Sequence, residues 1–407
     1  MIRGWTEQRL DRIFKEIKQV VPVETTRLLT PSVVHGVIPQ SELENKPQQA
    51  LREGYEVLPA IKGDFVVSMS SWQYGFEYCG IEGGISPDYT LLRPICDPRL
   101  IGYLRFALKS EPLIQQLTLY RSGIRMGQRL QWNRIRYTRI ALPPPDVGAQ
   151  IAAFLERETK KADRLLQKYE ALIALLKEKR STLISHAVRK GLDPRAAMKP
   201  SGVDSIGDMP AHWECFPVKR YFNFLDGRRI PLSTDERTNR QGPYPYYGAS
   251  GIIDHVDDYI FDEDLVLVAE DGANLLNRAT PIAFVATGKY WVNNHAHILR
   301  PKDGNLGFWT ARLEAEDLTP HVTGSAQPKL TVDALSRIKV TAPGTETERE
   351  NVAQYVRTTD RQIGRVIDAV QRALDLTNEH ISALVASAVT GQIDVRSYRA
   401  QDMEVVA

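Results

Sequence analysis

The feature that most constrains this chain is that it reads twice. Leu183-Ile184-Ser185-His186-Ala187-Val188, closing on Asp193, returns as Leu384-Val385-Ala386-Ser387-Ala388-Val389, closing on Asp394. The offset is 201 residues, and it also relates Ile151-Ala152 to Val352-Ala353, Arg164 to Arg365 and Leu175 to Leu376. Weaker echoes precede each copy. Gly63-Asp64-Phe65-Val66-Val67 parallels Glu263-Asp264-Leu265-Val266-Leu267, and Leu92-Arg93-Pro94 parallels Leu299-Arg300-Pro301. Arg129-Leu130 parallels Lys329-Leu330, and Trp5 parallels Trp213. Ordered pairs at offsets near 200 along most of the chain are the mark of a structural unit built twice. The 407 residues therefore divide into two halves, each a globular part followed by a helix.

The helices have the clearest periodicity. Leu155, Ala162, Leu165, Tyr169, Leu172, Leu176 and Leu183 fall at three-four spacing with Lys and Glu on the flanks. Val352, Val356, Ile363, Val366, Val370, Ala373, Leu374, Ile381 and Leu384 repeat the pattern. This is a coiled-coil seam. Pro143-Pro144-Pro145-Asp146 and Pro343-Gly344 mark the starts; Gly191 and Gly391 mark the stops. Each helix is then about 60 Å long, and a narrow seam of that length needs a partner. The other helix is the obvious one, and a pseudo-two-fold relation between halves makes the pair antiparallel. The intervening stretches alternate short β-rich runs, such as Phe65–Met69, Asp88–Leu92, Leu265–Val268 and Ile282–Val285, with Gly- and Pro-rich breaks. Residues 194–207 read as a linker. The expected domains are 1–145, a helix at 146–193, a second domain at 194–344, and a helix with tail at 345–407. The fold class is α+β: two pseudo-two-fold-related α/β domains separated by two long antiparallel coiled-coil helices.

Three cysteines, Cys79, Cys96 and Cys215, form no CxxC. They suit a reducing compartment rather than a disulfide framework or a structural zinc. No apolar run approaches a membrane span and no signal peptide opens the chain, so the expected location is the cytoplasm, with no membrane partner. No GxxxxGK[ST] or GxGxxG is present, nor the Pro-Pro-aromatic motif of adenine methyltransferases. Pro145-Asp146 with Glu158 and Lys160 only mimics a nuclease motif, because these acids lie along one helix. His295 and His297 would share one face of a strand, but the sequence offers them no acidic or cysteine partner, so a metal site is not expected.

Net charge is +2, which argues against a strongly basic nucleic-acid binder. The charge is unevenly placed: +10 over residues 1–199 and −8 over 200–407. Segment 120–139 holds Arg121, Arg125, Arg129, Arg134, Arg136 and Arg139 with no acid, interleaved with Tyr120, Trp132 and Tyr137. Six uncompensated guanidiniums suit an external polyanion, although a solvated basic face has the same composition. The corresponding second-half segment is Gly324-Ser325-Ala326-Gln327-Pro328-Lys329, where Ser325 and Gln327 can meet bases and Lys329 a phosphate. Gln128 lies beside Arg129 in the first copy. Lys219, Arg220, Arg228, Arg229, Arg237 and Arg240 form another basic group. The loops carrying Ser70, Trp72 and Gln73, Glu270 to Asn274, and Asn293, Asn294 and His295 supply base-reading side-chain types. Each loop taken singly is equally a turn.

With this layout in view, the chain resembles the specificity subunit of type I restriction-modification enzymes. The resemblance rests on Gly207-Asp208-Met209-Pro210-Ala211-His212-Trp213-Glu214, on Tyr246-Tyr247-Gly248-Ala249-Ser250-Gly251, on Gly324 to Leu330, and on Leu183 to Val188 with Lys190-Gly191-Leu192-Asp193. The first half departs from it: Gly123-Ile124-Arg125-Met126-Gly127-Gln128-Arg129 is a loose counterpart of the Gly324 segment. The resemblance implies a non-catalytic chain with two target-recognition domains that read a split double-stranded DNA sequence. It implies partners as well: two adenine-methylating subunits using S-adenosylmethionine, and motor-nuclease subunits using ATP and Mg2+. This chain would bind no cofactor, and its helices would act as a ruler between half-sites. A coiled-coil scaffold without DNA binding and a stand-alone DNA-modifying enzyme are the competing readings.

Overall fold

The computed structural model describes residues 4–33, 35–43, 54–120, 130–324 and 328–396. Two long helices dominate, Pro145–Lys190 and Glu346–Val389. Pro145 occupies the first turn, where its missing N–H costs nothing. Gly191 follows the last turn at φ +77°, a conformation that only glycine adopts cheaply. The chain forms two compact units that cut across its linear segments: Met1–Tyr169 with Arg372–Ala407, and Glu170–Gln371. Each unit thus holds one α/β domain with parts of both helices.

In the first unit a four-stranded sheet runs in the order Phe14–Ile17, Thr90–Pro94, Phe65–Val67, Glu77–Tyr78. A five-stranded sheet runs Val21–Pro22, Glu56–Ala60, Gly83–Ile85, Leu28–Ser32, Gly36–Pro39. In the second unit the corresponding order is Phe222–Phe224, Ala296–Pro301, Leu265–Ala269, Ala283–Ala286. Its other sheet runs Gly251–Val256, Tyr244–Gly248, Lys289–Val292, Phe261–Asp262. The middle strands Phe65–Val67 and Leu265–Ala269 are apolar throughout and fully covered, as strands packed on both faces must be. The stretch read as a linker instead opens a hairpin, Met198–Pro200 pairing with Asp208–Pro210 just beyond it.

The repeat holds at the level of individual bonds. Pro94 lies opposite Phe14, and Pro301 opposite Phe222. Arg93 grips Asp64 with two nitrogens at 2.9 and 2.8 Å, and Arg300 grips Glu263 at 2.8 and 2.6 Å. Leu130 N–H donates to Met69 O at 2.8 Å, and Leu330 N–H to Glu270 O at 2.9 Å. At the central strand the two copies align one residue away from the sequence pairing. Phe65 pairs with Leu92 as Val266 pairs with Leu299, so Phe65 corresponds to Val266 rather than Leu265.

Inside each unit the start of one long helix meets the end of the other, so they run antiparallel. Ile151, Phe154 and Leu155 share a core with Leu384, Ala388 and Val389 in the first unit. Ala187 and Val188 share one with Val352 and Ala353, and Val356 packs against it, in the second. The seam is partly rephased. Tyr169, Leu176, Leu183, Val356, Ile363, Val370 and Leu374 are half-buried as expected, but Leu165 and Leu172 are 38% and 41% exposed. Leu166 and Ile173 take their places, and Ile367 replaces Val366. Apolar doublets cause the misphasing: neighbours about 100° apart on a helix both fit a three-four pattern. The central-helix stripe then runs 162, 166, 169, 173, 176, 180, 183, 187. Among the described residues no helix is long and apolar enough to cross a membrane, and Cys79, Cys96 and Cys215 are free thiols.

Candidate nucleic-acid interface

The second unit gathers its polar loops at one end of the Leu265–Ala269 strand. That strand pairs antiparallel with Ala296–Pro301, Ala269 opposite Ala296. Glu270 therefore emerges where the 293–295 loop enters, and its N–H donates to His295 O at 2.9 Å. Its own carbonyl accepts from Leu330, which brings in the 324–330 loop. Thr323 and Lys329 close that loop with reciprocal backbone bonds of 3.0 and 2.8 Å, and Gly324 turns it at φ +99°. The Asp226–Arg228 turn arrives from the other side of the Ala296 strand, anchored by Leu225 N–H on Ile298 O. The Tyr244–Gly251 hairpin borders the same end, where Tyr247 O accepts from Asn293 N–H at 3.0 Å.

Side chains tie these segments into an ion-paired lattice. Arg229, with a side chain only 16% exposed, reaches Glu270 Oε2 at 2.8 Å, Ala296 O at 2.9 Å and Asp226 at 3.4 Å. Lys329 Nζ lies 3.2 Å from Glu270 Oε1 and 3.9 Å from Asp271. His295 Nδ1 is 2.9 Å from Asp271. The buried His297 ring sits between Asp226 Oδ1 and Leu330 O, each at 2.7 Å. Burial pushes the Glu270 carboxyl up, but Arg229, His297 and Lys329 outweigh it and hold it below the usual carboxylate value.

Of the residues expected to face DNA, Arg229, Asn294, His295 and Lys329 converge here. Arg229 is engaged internally, so it serves as a structural cation of this edge. Asn294 is exposed. Arg228 lies to one side, over the Phe261 ring at 4.6 Å and 3.5 Å from Glu263. Asn274 closes its own loop, accepting from Thr280 N–H at 3.0 Å and hydroxyl at 2.8 Å. The wider basic group is dispersed: Arg237 pairs with Asp254, Arg240 with Asp257, and Arg220 stacks on Phe216. Ser325 and Gln327 lie outside the described residues, as do Arg121, Arg125, Gln128 and Arg129.

In the first unit Ser70 and Gln73 are exposed. Trp72 is a correction: it is 7% exposed and packs in the core with Met69 and Phe76. Burying so large a ring stabilises the turn more than a surface position would. Trp132 is likewise a core residue, while Tyr137 is flanked by the guanidiniums of Arg9 and Arg136 at 4.5 and 4.8 Å. Sequence reasoning gave His295 and His297 no acidic partners; Asp271 and Asp226 are those partners. It did not single out Glu270 as the joint between loops. Among the described residues, no group of three His, Cys, Asp or Glu is placed to hold a metal ion.

Residues 210–386 match the family described as type I restriction modification DNA specificity domain. The second domain and its helix are of that class. A putative type I restriction enzyme specificity subunit of Haemophilus influenzae is 33% identical over 138 residues, 33% of this chain and 34% of that protein. The match thus spans about a third of the relative's own length. A solved chain from work on complex assembly and conformational transition of the type I R-M system aligns over 96% of this chain and 99% of its own, with TM-score 0.70 at 16% identity. The HsdS subunit of Thermoanaerobacter tengcongensis aligns over 97% and 98%, with TM-score 0.49 at 16% identity. The similarity to that family covers residues 210–386, and the likeness of fold to the solved chain extends over the rest.

Proposed function

We propose that this chain reads a bipartite double-stranded DNA target, one part per recognition domain, for a type I restriction-modification complex. The observation that carries the reading is the convergence of four polar segments at one end of the second domain's sheet. They combine an amide (Asn294), an imidazole (His295) and an ammonium (Lys329), side-chain types that meet base edges and phosphates. The arginines of 121–139 supply backbone contacts for the first domain. One topology built twice with different loop residues suits a split target whose halves differ.

The same reading makes the chain a non-catalytic scaffold for two methylation subunits and for motor-nuclease subunits. S-adenosylmethionine, ATP and Mg2+ belong to those partners. Leu165, Leu172, Leu175, Val366 and Leu376 support the scaffold role, because they leave apolar surface uncovered on the long helices. Co-expression with the neighbouring methylation subunit, followed by mapping of methylated adenines, tests the proposal. A single split motif is expected; methylation without sequence preference would refute it. Four residues inserted near Arg180 add about 6 Å, so the gap between half-sites should lengthen by about two base pairs.

A further inference from the structure

Lys329 is a half-buried cation at the second domain's loop edge, and it is not free. Its ammonium lies 3.2 Å from Glu270 and 3.9 Å from Asp271. The Glu270 carboxylate is itself held by Arg229, which also faces Asp226. His297 stands behind this group on Asp226 and Leu330 O, and His295 sits on Asp271. The carboxylate is not what anchors the loop. In the first unit the corresponding position is Met69, four residues beyond Phe65 as Glu270 is four beyond Val266, and Met69 O accepts the same leucine N–H. An apolar residue therefore does the backbone work equally well, and the carboxylate at Glu270 has another role.

We propose that Glu270 is a specificity-determining residue that withholds Lys329 from DNA that does not fit the loops. This rests on the DNA-recognition reading above. A lysine already neutralised by a carboxylate brings no net charge to a phosphate, so it releases no counterion on a backbone-only encounter. Target DNA seated in the loops adds base contacts and presents a phosphate at a fixed place, where Lys329 can exchange partners. Non-target duplex lacks those contacts and meets Lys329 still paired. Glu270 is thus a positioning residue acting through Lys329, and it lowers non-specific affinity rather than raising specific affinity.

The test uses the full chain co-purified with its methylation subunit, a duplex carrying the mapped target and a scrambled duplex, over a salt series. Glu270→Gln keeps an oxygen for Arg229, which also retains Asp226 and Ala296 O. It is expected to raise affinity for scrambled duplex about threefold and to steepen its salt slope by about 0.9. Target affinity should rise less. Glu270→Gln combined with Lys329→Gln should return the scrambled-duplex affinity and slope to the level of Lys329→Gln alone. Unchanged or weaker scrambled-duplex binding by Glu270→Gln overturns the role, as does a gain that survives loss of Lys329. If the unsubstituted complex shows no preference for its target, the recognition reading itself fails, and this role with it.

Discussion

Arg229 separates two accounts of the same cation. The sequence places it among DNA-facing residues, whereas the structure makes it the tie between the 226 turn, Glu270 and the Ala296 strand. Its side chain is 16% exposed, and the facing Asp226 and Glu270 side chains are 10% and 15% exposed. Truncating one partner of such a pair strands charge in a poorly solvated place, at a cost of about 3 kcal/mol. The hydrogen bond to Ala296 O adds about 1 kcal/mol. Arg229→Ala should therefore destabilise the second domain by about 3–4 kcal/mol, a large share of a typical domain stability of about 5–15 kcal/mol. Adding Glu270→Gln should recover about 1–2 kcal/mol by removing one stranded carboxylate. Urea denaturation of the full chain, followed by tryptophan fluorescence, measures both. A loss below about 1 kcal/mol, accompanied by a shallower salt dependence of DNA binding, would refute the structural role and return Arg229 to the DNA.

Two further outcomes follow from other parts of the fold. Leu172→Asp with Leu175→Asp alters exposed positions, so stability should hold while co-purification of the proposed methylation partner falls. Ile173→Asp, one residue away on the half-buried stripe, should cost about 2 kcal/mol, and equal effects from the two faces would contradict the seam described. Glu77 is 6% exposed with the Lys109 ammonium at 2.7 Å, and burial pushes its carboxyl up despite that lysine. An acid whose folded value lies above its unfolded one costs stability once pH exceeds the unfolded value. Glu77→Gln should therefore stabilise the first unit at pH 7 and leave it unchanged below about pH 4; the same difference at both pH values would refute the assignment.

The repeat was legible because it lies in the backbone architecture. Leu-Arg-Pro, the aspartate or glutamate it grips, and the helix ends return with their neighbours intact. The loops of the second domain were legible as polar segments, and the sheet explains why they meet: strands 265–269 and 296–301 are adjacent and antiparallel. Charge pairing was not legible. Glu270 meets Arg229 and Lys329 across 41 and 59 residues, and His297 meets Asp226 across 71, separations that leave no local pattern. Trp72 misled because an aromatic in a Ser-rich turn reads as a surface group until the core beneath it is seen. The helix seam misled only where leucine or isoleucine stands beside another apolar residue.

Under the proposed function, each domain reads its own part of the target. A loop exchange tests this: the loops at 270–274 and 293–295 are replaced by those of a type I specificity subunit of known target, the chain is co-expressed with the proposed methylation partner, and methylated adenines are mapped. One half of the motif should change while the other half and the gap between them persist. A motif that is unaltered, or altered in both halves, would contradict it.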